Sequence, residues 1–151
     1  MYNLRNDTYE ELVRTARVHY SDEGMCTVIA VAKACRCSYG KAASKMLAEG
    51  RERRKGGTRA MYVQAIHKIT GVFPIDRRDL LDSGLTTIGQ AELRLPSKGT
   101  FLLRVRGHVA CYSEGVLYDW TARRFTGTGS RRRLVDIIEI PPIRAGDSVR
   151  F

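Results

Sequence analysis

No apolar run in this chain is longer than Val28–Ala32, far short of the ~20 residues a membrane-spanning helix needs. The opening residues, MYNLRNDTYEEL, are polar and acidic and contain no apolar segment of the kind a signal peptide requires. An intracellular protein with no membrane partner is therefore expected. Proline is scarce, at four residues, and no linker-like stretch or internal repeat divides the sequence. One domain over residues 1–151 follows. Aromatic residues make up only 8%. Acidic residues are also in deficit, 16 against 26 lysines and arginines, for a net charge of +10.

Cysteine is present four times, at 26, 35, 37 and 111. In an intracellular chain these are expected to be thiols, not a disulfide framework. A zinc site needs a second ligand pair at matching spacing, and none is visible, so neither metal nor cofactor is expected.

The positive charge is concentrated in two places. Segment 51–59, RERRKGGTR, has five basic residues against one acid, a net +4; segment 123–133, RRFTGTGSRRR, has five arginines and no acid. Both contain glycine and lack apolar periodicity, so both are expected to be loops. Arg51, Arg53, Arg54, Lys55, Arg123, Arg124, Arg131, Arg132 and Arg133 are the candidate anion-binding residues, for nucleic acid or an acidic partner. Only Phe125 interrupts the arginines of the second segment, so stacking on bases has little support.

Helical signals come first. Thr8-Tyr-Glu-Glu11 is a capping-box pattern that opens a helix to Tyr20. After a break at Gly24, Met25 to Cys35 is apolar on most sides and is expected to lie inside the fold. Ser38 caps a third helix ending at Gly50, and Thr58 a fourth ending at Gly71. A short helix is expected from Thr87 to Leu95, stopped by Pro96. The period then becomes strand-like over 101–106, 108–113, 116–120 and 134–140, with Glu114-Gly115 as a tight turn. Helices followed by a small antiparallel sheet is an α+β order.

Cys26 lies where polar chain turns apolar, in the first turn of the buried helix. Unpaired N–H groups and the helix dipole there favour negative charge and can lower a thiol's pKa. It is either a small core residue or a placed nucleophile. A two-residue turn at Glu114-Gly115 pairs Ser113 with Val116, Ala110 with Asp119 and His108 with Thr121. His108 and Asp119 then share a sheet face as diagonal neighbours, about 7–8 Å apart at the backbone. A carboxylate so placed could hold the imidazole's tautomer and leave its other nitrogen for a thiol. His19 and His67 sit on helices with no acid placed to orient them.

A cysteine opening a buried helix, then Gly-His-Val on one strand and Leu-Tyr-Asp-Trp on the next, resembles the papain-like cysteine peptidases. The similarity covers Asp22 to Trp120 and is greatest to small intracellular or phage-encoded members with a Cys–His–Asp order, akin to the bacteriocin-processing peptidase-like group. The resemblance implies a papain-like α+β fold, Cys26 as nucleophile, His108 as general base and acid, and Asp119 as orienting group. It also implies a cytoplasmic protein of a bacterial cell, phage-encoded, acting on a protein or peptide. Such enzymes place a glutamine ahead of the cysteine to complete the oxyanion hole, and Val18–Met25 contains none. The Cys26 backbone N–H, with Tyr20, Ser21 or Asp22, is the expected substitute. Proteolysis, isopeptide cleavage, deamidation and acyl transfer all use these three groups. Arg123, Arg124 and Trp120 hint at acidic substrates. The alternative is a basic protein that binds nucleic acid or a partner on a catalytically inactive papain-like scaffold.

Overall fold

Each of the first four helices begins where the sequence supplies a cap or a break. In the computed structural model, which describes residues 8–21, 24–52 and 55–142, α1 runs Tyr9–His19, α2 Cys26–Cys35, α3 Tyr39–Ala48 and α4 Arg59–Thr70. Thr8 and Glu11 form the capping box: the Thr8 hydroxyl accepts from the Glu11 N–H at 3.2 Å, and the Glu11 carboxylate accepts from the Thr8 N–H at 3.3 Å. Ser38 and Thr58 accept the Lys41 and Met61 N–H groups at the starts of α3 and α4. Such caps contribute about 1 kcal/mol each. At its other end α4 stops on Gly71, whose φ of +79° is left-handed and suits glycine.

The chain then adds β1 (Ile75–Asp76), α5 (Arg78–Asp82), α6 (Ile88–Arg94), β2 (Thr100–Val105), β3 (His108–Ser113), β4 (Val116–Tyr118), α7 (Arg123–Thr126) and β5 (Leu134–Ile140). The five strands form one antiparallel sheet in the order β1-β5-β2-β3-β4, so the architecture is α+β. Glu114 and Gly115 turn the β3–β4 hairpin with φ values of +50° and +82°, the mirror-image turn that matches strand twist. Ser113 pairs with Val116 as the spacing predicts, but the ladder ends at Cys111–Tyr118. β4 is therefore shorter than the expected strand 116–120, and Asp119 lies one residue beyond it.

Both faces of the sheet are covered. Leu102, Val109, Cys111, Ile138 and Ile140 pack with α1–α4, while Phe101, Leu103, Ala110, Tyr112 and Ile137 pack with Leu85, Ile88, Ala91 and Leu95. This two-sided burial explains the uninterrupted apolar run Phe101–Leu103, where a half-exposed strand would alternate. α2 is the central helix: every residue from Thr27 to Ala32 is buried. Removing a side chain such as Ile29 from water stabilises the fold by about 1.5–3 kcal/mol. Among the described residues no helix is long and apolar enough to cross a membrane.

Candidate active site

α2 begins differently from its neighbours. Met25 occupies the cap position with helical φ and ψ, no side chain caps the first turn, and that turn carries no acid. A helix start without a side-chain cap leaves its N–H groups for solvent or a ligand. Cys26 is the first residue of this helix and is partly exposed, whereas Cys35, Cys37 and Cys111 are buried.

The first residue of β3 brings an imidazole to the sulfur. His108 Nε2 lies 2.5 Å from Asp119 Oδ1, and His108 and Cys26 line the same cleft, near enough for each to shift the other's pKa. With Nε2 committed to the carboxylate, Nδ1 is the nitrogen left for the thiol. Asp119 is 2% exposed, and its second oxygen accepts from the Thr121 N–H at 3.2 Å and from the Thr121 hydroxyl. Both carboxylate oxygens are thus engaged, which fixes the group that fixes the imidazole.

The charges follow from these contacts. Burial pushes the Cys26 thiol up, but the polar surroundings, foremost the His108 imidazole and the Val109 backbone, outweigh it and bring the thiol below its ordinary 9.0. Burial alone would lower His108; its bond to Asp119 and the neighbouring Cys26 sulfur win and push it up to about 9. Asp119 is raised by burial and brought below the usual carboxylate value by His108 and Thr121. All three shifts run toward the charged forms, a thiolate–imidazolium pair beside a carboxylate. The other three thiols go the opposite way: burial raises Cys37 to about 11 and Cys111 to about 12, and holds Cys35 well above a normal thiol.

A cleft of about 360 Å³ opens at the sulfur. Its walls include Cys26, His108, Gly57, Arg59 and Arg104. The first basic segment forms one side of it. The Gly57 N–H donates to the buried Thr27 hydroxyl at 3.1 Å, which ties this segment to the first turn of α2. Arg51 makes a second tie: Nε donates to the Lys55 carbonyl at 2.7 Å and Nη2 to the Gly24 carbonyl at 2.8 Å. Gly24 has no room for a side chain, because a Cβ there would collide with the Lys55 backbone. A second hollow, of about 330 Å³, lies at the far end of α2 beside Cys35, whose thiol is held protonated by burial.

Several expectations change. Arg51 is not an exposed anion-binding residue; it is 4% exposed and bound to backbone carbonyls. Arg53, Arg54 and the oxyanion candidate Asp22 lie outside the described residues. Lys55 is exposed and pairs with Glu52 at 2.7 Å. The second basic segment is not all loop, since Arg123–Thr126 forms a helical turn. Arg123 is half-buried, and Arg124 donates to the Leu117 carbonyl while lying over the Phe125 ring at 4.5 Å. Arg131, Arg132 and Arg133 are exposed. The cleft arginines are Arg59 and Arg104, and its walls include neither Arg123, Arg124 nor Trp120.

Of the remaining oxyanion candidates, Ser21 is exposed and Tyr20 tilts on Tyr39 at 5.1 Å, its hydroxyl filling the space over Gly40. His19 is exposed in the last turn of α1, and His67 stacks on Phe73 at 3.6 Å. Three contributors went unnoticed in the sequence. Thr121 follows Asp119 by two residues, the spacing of an Asx turn, and that signal was readable. Tyr9 is buried with its ring edge on Trp120 at 4.8 Å, and burial, with the charges of Asp119 and Cys26, keeps its hydroxyl protonated. Arg104 is an arginine within an apolar strand.

Among the described residues no group of three or more His, Cys, Asp or Glu side chains could hold a metal ion. Comparisons with protein-family models, with curated proteins and with solved structures give no match to this chain.

Proposed function

We propose that the protein is a papain-like thiol hydrolase that cleaves an amide bond, either a peptide or an isopeptide bond. One observation carries this reading. Asp119 hydrogen-bonds His108, and His108 shares a cleft with Cys26 at a helix start that lacks a side-chain cap.

The Cys26 thiolate attacks the amide carbonyl and its oxygen becomes an oxyanion. The first-turn N–H groups of α2, which no side chain caps, supply the donors an oxyanion hole requires. The His108 imidazolium gives its proton to the leaving nitrogen; the C–N bond breaks and an acyl-thioester remains. Neutral His108 then takes a proton from water and hydroxide adds to the thioester; the C–S bond breaks, which releases the acid product and restores the Cys26 thiolate and His108 imidazolium. Asp119 keeps Nε2 as its partner and stabilises the charged imidazole between the two halves. The resemblance to phage-encoded bacterial enzymes supplies the cytoplasmic setting and the protein or peptide substrate.

The test is chemical labelling. Iodoacetamide should modify Cys26 well before Cys35, Cys37 and Cys111 in the native protein, and His108→Ala should slow Cys26 to the rate of an ordinary exposed thiol. Equal modification of all four thiols in the wild type would defeat the proposal.

A further inference from the structure

Two arginines from distant parts of the chain meet in the cleft. Arg59 lies in the first turn of α4, Arg104 on β2, and both line the same hollow as Cys26 and His108. A single carboxylate lies between them. Asp136 accepts from Arg59 Nε at 2.6 Å and is 3.8 Å from Arg104 Nε. The exposures show which sign faces outward: the side chains of Arg59 and Arg104 are 43% and 38% exposed, that of Asp136 only 13%. Two cations thus share one recessed anion, and of the charged groups near them it is the arginines that line the cleft; Asp76, also near Arg59, does not. At 3.8 Å the Arg104 contact is too long for a hydrogen bond, and its buried Nε has no hydrogen-bond partner.

Asp136 explains why the pair exists without exhausting it. A guanidinium offers five donors in a flat fork, and one carboxylate engages only part of two such forks. The remaining donors suit a second planar anion, which two arginines can bind by parallel N–H bonds. We infer that the cleft selects a substrate carrying a carboxylate beside the scissile bond, held by Arg59 and Arg104. This rests on the thiol-hydrolase reading, since it places the carboxylate by the bond that Cys26 attacks. The carboxylate could be an acidic side chain or a chain terminus; the chemistry of capture is the same.

The test uses two reagents with one warhead and different charge. Iodoacetate and iodoacetamide alkylate the same sulfur, so the ratio of their rate constants at Cys26 reads the local potential. Within the full-length protein, Arg59→Gln and Arg104→Gln should each lower that ratio by about 3- to 10-fold. Asp136→Asn, which uncovers the two cations, should raise it by a similar factor. Arg59 is exposed, so its replacement tests the idea even if Arg104→Gln fails to fold. A ratio constant within twofold across these variants, with Cys26 still the preferred thiol, overturns the inference and leaves the hydrolase proposal standing. Loss of the Cys26 preference in the wild type removes the hydrolase proposal first. The source of the carboxylate is read by protection against iodoacetamide. N-acetylglutamine offers only a chain-terminal carboxylate, and N-acetylglutamate α-amide only a side-chain one. Slower alkylation with one of them supports the inference and identifies the source; no slowing with either counts against it.

Discussion

The two basic segments carry nearly the same charge in the sequence and have different fates in the molecule. Segment 51–59 is drawn into the site: Arg51 is buried against the Gly24 and Lys55 carbonyls, Gly57 bonds to Thr27, and Arg59 lines the cleft. Segment 123–133 stays on the periphery. Arg132 donates to the Arg106 carbonyl at 2.5 Å, and Arg131 and Arg133 are exposed. Both segments place guanidiniums on backbone carbonyls, Arg124 on that of Leu117 and Arg132 on that of Arg106. What separates them is place: Arg51 binds the approach to α2 beside Cys26, whereas neither Leu117 nor Arg106 lines the cleft. Charge density alone says little about what a cluster does.

Arg51→Met should give the largest effect. It strips the donor from two carbonyls, one of them in the half-buried approach to Cys26, and each unsatisfied group costs about 1–3 kcal/mol. Urea unfolding should show a loss of about 2–4 kcal/mol, and alkylation of Cys26 should lose its selectivity even below the unfolding midpoint. Gly24→Ala should act in the same direction, by about 1–3 kcal/mol, because its new Cβ pushes on the Lys55 backbone. If either variant matches wild type, the first segment is no more integral than the second.

Titration offers a smaller but more discriminating effect, since an imidazolium can be neutralised and a guanidinium cannot. His108 is held up at about 9, so it keeps its proton as pH rises past 6.5 and loses it only around 9. The advantage of iodoacetate over iodoacetamide at Cys26 should therefore persist to about 9 and then fall. What remains at higher pH is the contribution of Arg59 and Arg104. In Asp119→Asn the carboxylate that retains the proton is gone, so the fall should move to lower pH. A profile unchanged in Asp119→Asn would disconnect Asp119 from the imidazole.

The smallest effect belongs to the periphery. Replacing Arg131, Arg132 and Arg133 together by glutamine should change stability by less than about 0.5 kcal/mol per site and leave Cys26 alkylation as it was. If these residues do bind nucleic acid, the unmodified protein should retain DNA or RNA with an affinity that falls steeply with salt; an affinity indifferent to salt excludes it.

What could be read from the chain is what short-range chemistry determines. Thr8, Ser38 and Thr58 stand at helix starts because a hydroxyl reaches N–H groups two or three residues on. Glu114-Gly115 set the hairpin register because both accept positive φ, and that register brought His108 toward Asp119. Long-range meetings were not legible. Arg59 and Arg104 are 45 positions apart, and only the packing of α4 beside the β2–β5 ladder brings both to Asp136. Nor did the sequence mark β1, α5 or α7, which are too short for a periodic pattern. Arg51 was misread for a related reason: its carbonyl partners belong to the backbone and leave no trace in residue identity.

The sulfur and the imidazole ride on α2 and β3, whose buried side chains (Val28 to Ala32 on one, Val109 and Cys111 on the other) share a single core. Neither can swing away without opening that core, so the pair has no separate melting event of its own. On heating, the differential reactivity of the four thiols should hold steady and then vanish with the global transition. A pulse of iodoacetamide thereby becomes a gauge of the intact fold, read at one sulfur atom.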